Sequence, residues 1–302
     1  MKKRILALGL TVALAAASLA ACGGASTKTT EKQTEAGTEK SSEKATEAAK
    51  EEKADSGKLR TYKLGVNGSD HEEWEKANEL LQKDNIKLEM VEFSDYVKPN
   101  EALEDGEIDL NAFQTEIYFN NFVKERGYTD LGVLAYTQVA PMGIYSSKYK
   151  SLDEATGHLI IAIPNDVTNG GRALKFLEKN GFLTLKKEAG LTPTVMDIEK
   201  YNKDVEIVEM VATQIPASLP DLSFACINNG VAKDAGLTLK NDAIVYEDYK
   251  EPDMKNYWNI IAAKKDRIES EDFQKIKKAY NSDEVKQVVL EHYDGQSIPV
   301  WD

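Results

Sequence analysis

The sequence predicts an α/β protein that follows an export signal and a polar linker. Three observations support this division of the chain. Strand-like and helix-like segments alternate from about residue 59 onward, residues 26–58 carry no aromatic side chain, and the amino terminus has a basic segment followed by an apolar one. Alternating strands and helices favour a layered α/β architecture.

The amino-terminal residues 1–21 have the layout of a secretory signal peptide. Basic residues at positions 2–4 precede an apolar run that is shorter than the roughly 20 residues needed to span a bilayer, and the segment ends in Leu-Ala-Ala-Cys22. That ending resembles a bacterial lipobox, whose cysteine accepts diacylglycerol, is freed by cleavage and is commonly acylated. Several acyl chains give stable attachment. We expect Cys22 to anchor the protein to the outer face of the cell membrane; an ordinary signal peptide with an incidental cysteine is the alternative.

Residues 22–58 are predicted to be a lipid-anchored, disordered linker. From residue 26 they are almost wholly Ser, Thr, Glu, Lys, Ala, Gln and Gly, and such a composition cannot bury enough apolar surface to fold, although transient helix is compatible with it. Cys226 is the second of two cysteines and lies in an apolar run. With Cys22 lipidated no disulfide is expected, and Cys226 is predicted to be a buried, inert thiol.

The remaining residues, about 59–302, are enough for one large domain or for two lobes with their own cores. The formal charge of the chain is −13, so nucleic acid and anionic lipid headgroups are poor partners. Hydrophobic periodicity predicts helices near 71–83, 99–106 and 172–180. The predicted strands are 62–66, 86–93, 108–113, 132–135, 142–145, 159–163, 205–208, 224–227 and 259–263.

The most informative local pattern is a buried strand, a polar glycine loop and a helix over residues 159–180. Ligands of open α/β sheets bind at such strand ends. Thr168 and Asn169 are suitable helix-capping residues, and the free N–H groups of a helix start favour an anion. Arg172 adds a planar charged fork that suits a carboxylate. The glycines are too few and wrongly spaced for a P-loop or a dinucleotide fingerprint, so a small carboxylate is the better expectation.

Four segments together resemble the NlpA/MetQ family, the substrate-binding lipoproteins of methionine ABC importers. They are DYVKPNEAL at 95–103, GEIDLNAFQ at 106–114, PMGIYS at 141–146 and IPNDVTNGGRAL at 163–174, in a resemblance that extends over residues 63–301. The resemblance implies a type II periplasmic-binding-protein fold, in which two α/β lobes joined by two crossings close on a ligand. On that pattern residues 59–146 and 248–302 form lobe 1, and residues 147–247 form lobe 2.

The resemblance also assigns a set of ligand-binding residues. Arg172 holds an amino-acid carboxylate, Asn259 fixes the α-amino and carboxylate groups, and Asn228 assists from the other lobe. Aromatic side chains wall a thioether pocket, where sulfur–aromatic contact favours methionine over an aliphatic side chain. The full set is Tyr96, Phe113, Thr115, Asn169, Arg172, Asn228 and Asn259.

Two departures from the family pattern bear on the ligand. Thr115 stands where the family usually has histidine, and residues 228–231 read Asn-Asn-Gly-Val where Asn-x-Asn-Tyr is common. Both changes enlarge or reshape the cleft. The identity of the ligand therefore stays open. It is methionine, a methionine derivative, a short methionine-containing peptide or another small amino acid, and the preference for L or D forms is open too.

The function implied is delivery of a methionine-like amino acid to an ABC importer made of a permease and an ATPase subunit. The alternative is a surface lipoprotein, an adhesin or assembly factor, that uses the same fold without transport. An enzyme is not expected, because His71, His158 and His292 are dispersed and no G-x-S-x-G elbow occurs. We expect no catalytic residue, cofactor or metal; a metal at the helix start near His71 is a weaker alternative.

Overall fold

The computed structural model describes residues 57–301. The predicted signal peptide, Cys22 and all but the last two residues of the predicted linker lie outside the described residues. Among residues 57–301, no helix combines the length and apolar character that a bilayer crossing needs. The described residues are arranged around two main β-sheets and one small two-stranded sheet.

The secondary structure alternates as the sequence predicts. The strands are β1 (Arg60–Asn67), β2 (Ile86–Phe93), β3 (Leu110–Asn111), β4 (Leu131–Val139), β5 (Gly143–Tyr145), β6 (Leu159–Pro164), β7 (Leu183–Leu185), β8 (Ile198–Tyr201), β9 (Val205–Met210), β10 (Phe224–Ile227), β11 (Ala243–Tyr246), β12 (Trp258–Lys264) and β13 (Ile298–Pro299). The helices are α1 (Glu72–Leu81), α2 (Lys98–Glu104), α3 (Glu116–Arg126), α4 (Val167–Lys179), α5 (Ile215–Ser218), α6 (Asn229–Asp234), α7 (Lys265–Ile268), α8 (Glu271–Tyr280) and α9 (Asp283–His292).

Each main sheet forms the centre of one lobe. Lobe 1 is built on the six-stranded sheet in the order β13-β4-β12-β3-β1-β2, and lobe 2 on the five-stranded sheet in the order β11-β5-β10-β6-β9. The chain passes between the sheets twice, from β4 to β5 and from β11 to β12. This two-lobed α/β architecture confirms the fold class that the sequence predicts.

The lobe boundaries of the sequence analysis need one change. The predicted boundary at residue 146 puts strand β5, Gly143–Tyr145, in lobe 1. It pairs instead with β10 and β11 in the sheet of lobe 2. The physical reason is that both hydrogen-bonded neighbours of β5 are strands of the lobe 2 sheet, so the chain crosses before β5. The other boundaries stay predictions.

Separate apolar cores support the two lobes. In lobe 1, α1, α8 and α9 pack on the sheet, and the ring centroids of Trp74 and Tyr280 lie 4.3 Å apart. In lobe 2, α4 packs on β6 and β10, with Phe182 and Phe224 in edge-to-face contact at 5.6 Å. Cys226 lies fully buried in the second core, and burial raises the pKa of its thiol, which is the inert state predicted for it.

Candidate ligand-binding site

A cavity of about 620 Å³ is lined by residues of both lobes. Pockets for small molecules usually measure about 300–1,000 Å³, so the volume suits a small ligand. All seven residues that the resemblance assigns to ligand binding line this cavity. They are Tyr96, Phe113, Thr115, Asn169, Arg172, Asn228 and Asn259. The structure thus brings the set together, while the ligand-binding role of each stays a prediction.

Helix α4 begins earlier than the sequence analysis expects. The predicted glycine loop is helical, and the cap is Asp166, whose side chain accepts a hydrogen bond from the Asn169 N–H at 2.9 Å. The glycines serve packing: a Cβ on Gly170 would lie 2.7 Å from the Pro164 carbonyl oxygen, and one on Gly171 2.8 Å from the chain at Thr192. The prediction that Thr168 and Asn169 cap this helix is therefore wrong, because Asp166 takes that position.

Arg172 points from α4 into a polar cluster at the edge of the cavity. Its Nε donates to both carboxylate oxygens of Glu247 at 3.0 and 3.1 Å, and its Nη2 donates to Glu247 and to the Ala140 carbonyl, the latter at 2.9 Å. The guanidinium carbon lies 4.3 Å from the ring centroid of Tyr257. No residue in the described range accepts a hydrogen bond from Nη1, which leaves one donor edge for a ligand carboxylate.

The partners of Arg172 are the two chain crossings between the lobes. Ala140 lies between β4 and β5, while Glu247 and Tyr257 lie between β11 and β12. Glu247 is also fixed by its own neighbours, since its carboxylate accepts from the Met142 N–H at 2.7 Å. Arg172 therefore joins α4 to both crossings, a structural role that the sequence analysis did not assign to it.

Side-chain amides form the lobe 2 wall beside Arg172. Asn228, at the start of α6, donates from Nδ2 to Asn169 Oδ1 at 2.8 Å. Asn169 in turn donates to the Asp166 carboxylate at 3.0–3.1 Å. The Oδ1 atom of Asn228 is buried and finds no partner among the described residues. It is therefore available to accept a hydrogen bond from a ligand.

Aromatic rings form a wall from lobe 1. The centroids of Tyr96 and Phe113 lie 5.9 Å apart, and Tyr118 lies 6.1–6.2 Å from both in edge-to-face geometry. The Tyr118 hydroxyl donates to the Tyr96 carbonyl at 2.9 Å. Burial raises the pKa of both tyrosines. The wall thus offers uncharged aromatic surface, which suits a thioether or another apolar side chain.

A network of buried side-chain amides fixes the backbone that leads to Thr115. Asn100, Asn111 and Gln114 exchange side-chain hydrogen bonds of 2.7–2.9 Å. The next residue, Thr115, caps α3 by accepting from the Tyr118 N–H at 3.3 Å and forms an isolated β-bridge with Asn259. The network therefore fixes the backbone that presents Thr115 and Asn259 to the cavity.

The two lobes also meet through a second group of residues that line the cavity. Lys233 of α6 lies 3.0 Å from the Asp70 carboxylate and contacts the His292 imidazole. It also lies 3.9 Å from the ring centroid of Tyr293. Gly68 packs so closely on α6 that a Cβ there would lie 2.5 Å from an Asp234 oxygen. These contacts hold the lobes against each other in the present structure.

Glu73 is a buried carboxyl group in the cavity wall. Its side chain is 5% exposed, and within the part of the chain that the structure describes its Oε2 atom has no hydrogen-bond partner. Burial raises the pKa of Glu73 to about 7; a backbone hydrogen bond and the Lys233 charge lower this pKa by less, and the Asp70 charge raises it further. Its other oxygen lies 3.5 Å from the Tyr293 hydroxyl. Glu73 is thus half ionised near neutral pH.

Glu73 should give the ligand-free protein a measurable pH dependence of stability. The pKa of the Glu73 carboxyl is 4.5 in the unfolded chain and about 7 in the folded protein. The free energy of unfolding therefore falls as pH rises from about 4.5 to about 7, and Glu73 causes no further change above that range. The shift corresponds to roughly 3 kcal/mol. We expect Glu73→Gln to gain about that much stability relative to wild type between about pH 4 and about pH 8 in urea unfolding. A difference that does not change with pH would contradict the burial argument.

Comparison with known proteins places the fold in a family. Residues 62–301 match the NlpA lipoprotein family. The chain belongs to that family. The D-methionine-binding lipoprotein MetQ of Escherichia coli K12 is 42% identical over 218 residues, which are 72% of this chain and 79% of that protein.

Solved structures with a similar fold agree with this membership. A nutrient-binding protein from Burkholderia cenocepacia bound to methionine superposes with a TM-score of 0.75 at 35% identity, covering 80% of this chain and all of the other. The substrate-binding protein of a methionine transporter from Streptococcus pneumoniae superposes with a TM-score of 0.75 at 38% identity, covering 80% of this chain and 96% of the other.

Sequence reasoning missed several cavity residues of this NlpA-family protein. Lys233 lines the cavity and Glu247 lies beside it, and both have partners that are distant in sequence. The grouping of Asp70, Glu72 and His292, whose ligand-type atoms lie within 4.8 Å of one another, also forms only in three dimensions. Glu73 had a detectable signal, because it shares the buried face of α1 with Trp74 and Ala77.

Proposed function

We propose that this protein is an extracytoplasmic substrate-binding lipoprotein that captures methionine, or a closely related compound, for an ABC importer. The observation that carries the proposal is the meeting of all seven assigned residues around one cavity between the lobes. Relatives named for D-methionine binding and a related structure bound to methionine support the ligand class.

Each wall of the cavity has a role in this proposal. The free Nη1 edge of Arg172 binds the α-carboxylate, and the partnerless Asn228 Oδ1 accepts from the α-amino group. Asn259, which faces Thr115, fixes the same end of the amino acid. The Tyr96 and Phe113 rings receive the thioether. Thr115 leaves more room than a histidine would because its side chain is smaller, and its hydroxyl is already used as a helix cap.

Methionine should stabilise the mature domain against heat. A ligand that binds only the folded state adds about 4 kcal/mol at a thousand times its dissociation constant. We expect a clear rise in melting temperature with methionine, and weaker affinity for norleucine by about 0.3–1.5 kcal/mol because the sulfur–aromatic contact is lost. L and D forms, small amino acids and short peptides complete the screen. If none of them stabilises the protein, the adhesin or assembly-factor function becomes the better proposal.

The membrane arrangement is part of the same proposal. Cys22 carries the lipid, the linker sets the reach of the binding domain, and a permease with its ATPase subunit receives the ligand. Labelled fatty acid should appear on the wild-type protein in a host that processes lipoproteins, and Cys22→Ser should abolish the label. Equal labelling of wild type and variant would rule out Cys22 as the anchor.

A further inference from the structure

Part of the cavity wall comes from lobe 1 residues alone, and we call this part of the wall the side pocket. Its walls come from α1, β4, α8 and the segment after α9. The ring of Tyr280 packs on Trp74, and the Tyr293 hydroxyl lies 3.5 Å from a Glu73 oxygen. The residues that define the side pocket and line the cavity are Glu73, Trp74, Gln138, Tyr280, Tyr293 and Ser297.

The side pocket contains buried acceptor atoms that have no donor. Glu73 Oε2, Gln138 Oε1 and Ser297 Oγ are buried, and no hydrogen-bond partner for them exists in residues 57–301. Asn67, also on the cavity wall, has a buried Oδ1 in the same condition. Three of these four atoms are amide or carboxylate oxygens. Amide oxygens accept hydrogen bonds and cannot donate them, and the same holds for Glu73 when its carboxyl is ionised. Because buried acceptors without donors cost free energy, a bound group that supplies N–H donors is favoured here.

The charge of the side pocket is also unbalanced. Within the described residues Glu73 takes part in no salt bridge. The nearby cation, Lys233, is held 3.0 Å from Asp70 and over the Tyr293 ring. Its charge is therefore balanced by Asp70, and an ionised Glu73 is left without a counter-ion. A positively charged ligand group would supply both the missing donors and the missing charge.

We propose that the side pocket binds an ammonium group of the ligand, with Glu73 as its counter-ion. An ammonium group carries three donors and no acceptor, which matches a wall of unpaired acceptors. A carboxylate or a thioether would leave the same acceptors unpaired. Glu73 is then a residue that determines specificity for ligands with a free amino group.

This inference rests on the proposed function, since it takes the ligand to be an amino acid or a short peptide. The ammonium group has two sources. One is the amino terminus of a peptide whose methionine lies against the aromatic wall; the other is the α-amino group of a free amino acid, which then binds Glu73 in place of Asn228 Oδ1. The cavity leaves room for the longer ligand at Gly230, where an added Cβ would meet no atom within 4 Å.

Calorimetric titration with matched compounds tests the proposal. The panel is methionine, N-acetylmethionine, the dipeptide Ala-Met and N-acetyl-Ala-Met. Glu73→Gln is compared with wild type and with Glu75→Gln, an exposed glutamate on the same helix that does not line the cavity. We expect Glu73→Gln to lose at least about tenfold in affinity for compounds with a free amino group and to change little with acetylated ones.

The panel separates the two sources of the ammonium group. A loss with methionine itself assigns the α-amino group, and a loss confined to Ala-Met assigns the peptide amino terminus. Equal losses with free and acetylated compounds, or no loss with either, would overturn the proposal. Glu75→Gln should bind as wild type does, and a parallel loss in that variant would also contradict it.

Two further measurements distinguish a loss of ammonium binding from a folding defect and from a failure of the proposed function. Without ligand, Glu73→Gln should melt at or above the wild-type temperature near pH 8, because a buried charge is removed, whereas a purely structural role predicts a lower value. n-Butylammonium chloride, against sodium chloride at equal ionic strength, should stabilise wild type more than Glu73→Gln. If that difference appears while wild type binds no methionine compound, the proposed function fails and the ammonium site stands. If the difference is absent and free-amine compounds bind both proteins equally, the ammonium site is wrong.

Discussion

Replacing Arg172 with methionine is expected to lower the free energy of unfolding by about 3–5 kcal/mol. The guanidinium is 3% exposed and holds Glu247, whose side chain is 11% exposed. Without it, Glu247 remains as a buried charge, and among residues 57–301 the Met142 N–H is its one remaining hydrogen-bond donor. The Ala140 carbonyl also loses its donor. Urea unfolding of the mature domain at neutral pH measures the effect.

A double variant separates stability from ligand binding at this position. Arg172→Met with Glu247→Leu removes both charges, and such replacements often recover stability. We expect the double variant to regain most of the lost stability and still to bind methionine at least about tenfold more weakly than wild type, because the Nη1 donor edge is gone. Wild-type affinity in the double variant would remove Arg172 from the ligand site and leave it only the joining of the two crossings.

Gly68→Ala is expected to disrupt the contact between the lobes. Gly68 has φ +78°, and an added Cβ would lie 2.5 and 2.7 Å from the two Asp234 carboxylate oxygens. The left-handed backbone alone costs about 1–3 kcal/mol, and the clash adds to it only when the lobes are in contact. Each 1.4 kcal/mol lost from the contacting state reduces affinity about tenfold. Small-angle scattering with ligand should show a larger radius of gyration for the variant.

Gly106→Ala is the matched control for this prediction. Gly106 lies in the same lobe with φ +74°, and an added Cβ there would meet nothing within 4 Å. It should lose similar folding stability from backbone strain and keep wild-type affinity and scattering. If both alanine variants bind equally well, the close approach of Gly68 to Asp234 does not matter for ligand capture.

Much of the fold was predictable because several of its strands have a regular pattern of polarity. Strands β2 and β10 were predicted with their observed limits, since alternation in the first and continuous apolar character in the second are strong signals. Strands β8 and β11 were missed. Their residues are half-buried or exposed, and edge strands of this kind are defined by pairing with neighbours that are distant in sequence.

Part of the candidate site could likewise be predicted from the sequence, and part could not. Residues inside the recognised segments, such as Asn169 and Phe113, could be assigned from sequence because each segment keeps its own spacing. Glu247 could not, because it lies 75 residues from Arg172 and nothing local marks it as a partner. The helical start of α4 was missed for a different reason. Two adjacent glycines predict a loop, whereas here they let the helix approach the Pro164 carbonyl and Thr192.

The buried amides Asn100, Asn111 and Gln114 have a consequence for the kinetics of capture. They fix the cavity segment through side chains that are at most 3% exposed, so we expect this wall to be ordered before a ligand arrives. Little side-chain entropy then has to be lost during the encounter. We therefore expect the association rate to depend mainly on how often the lobes separate, and the dissociation rate to carry most differences between ligands.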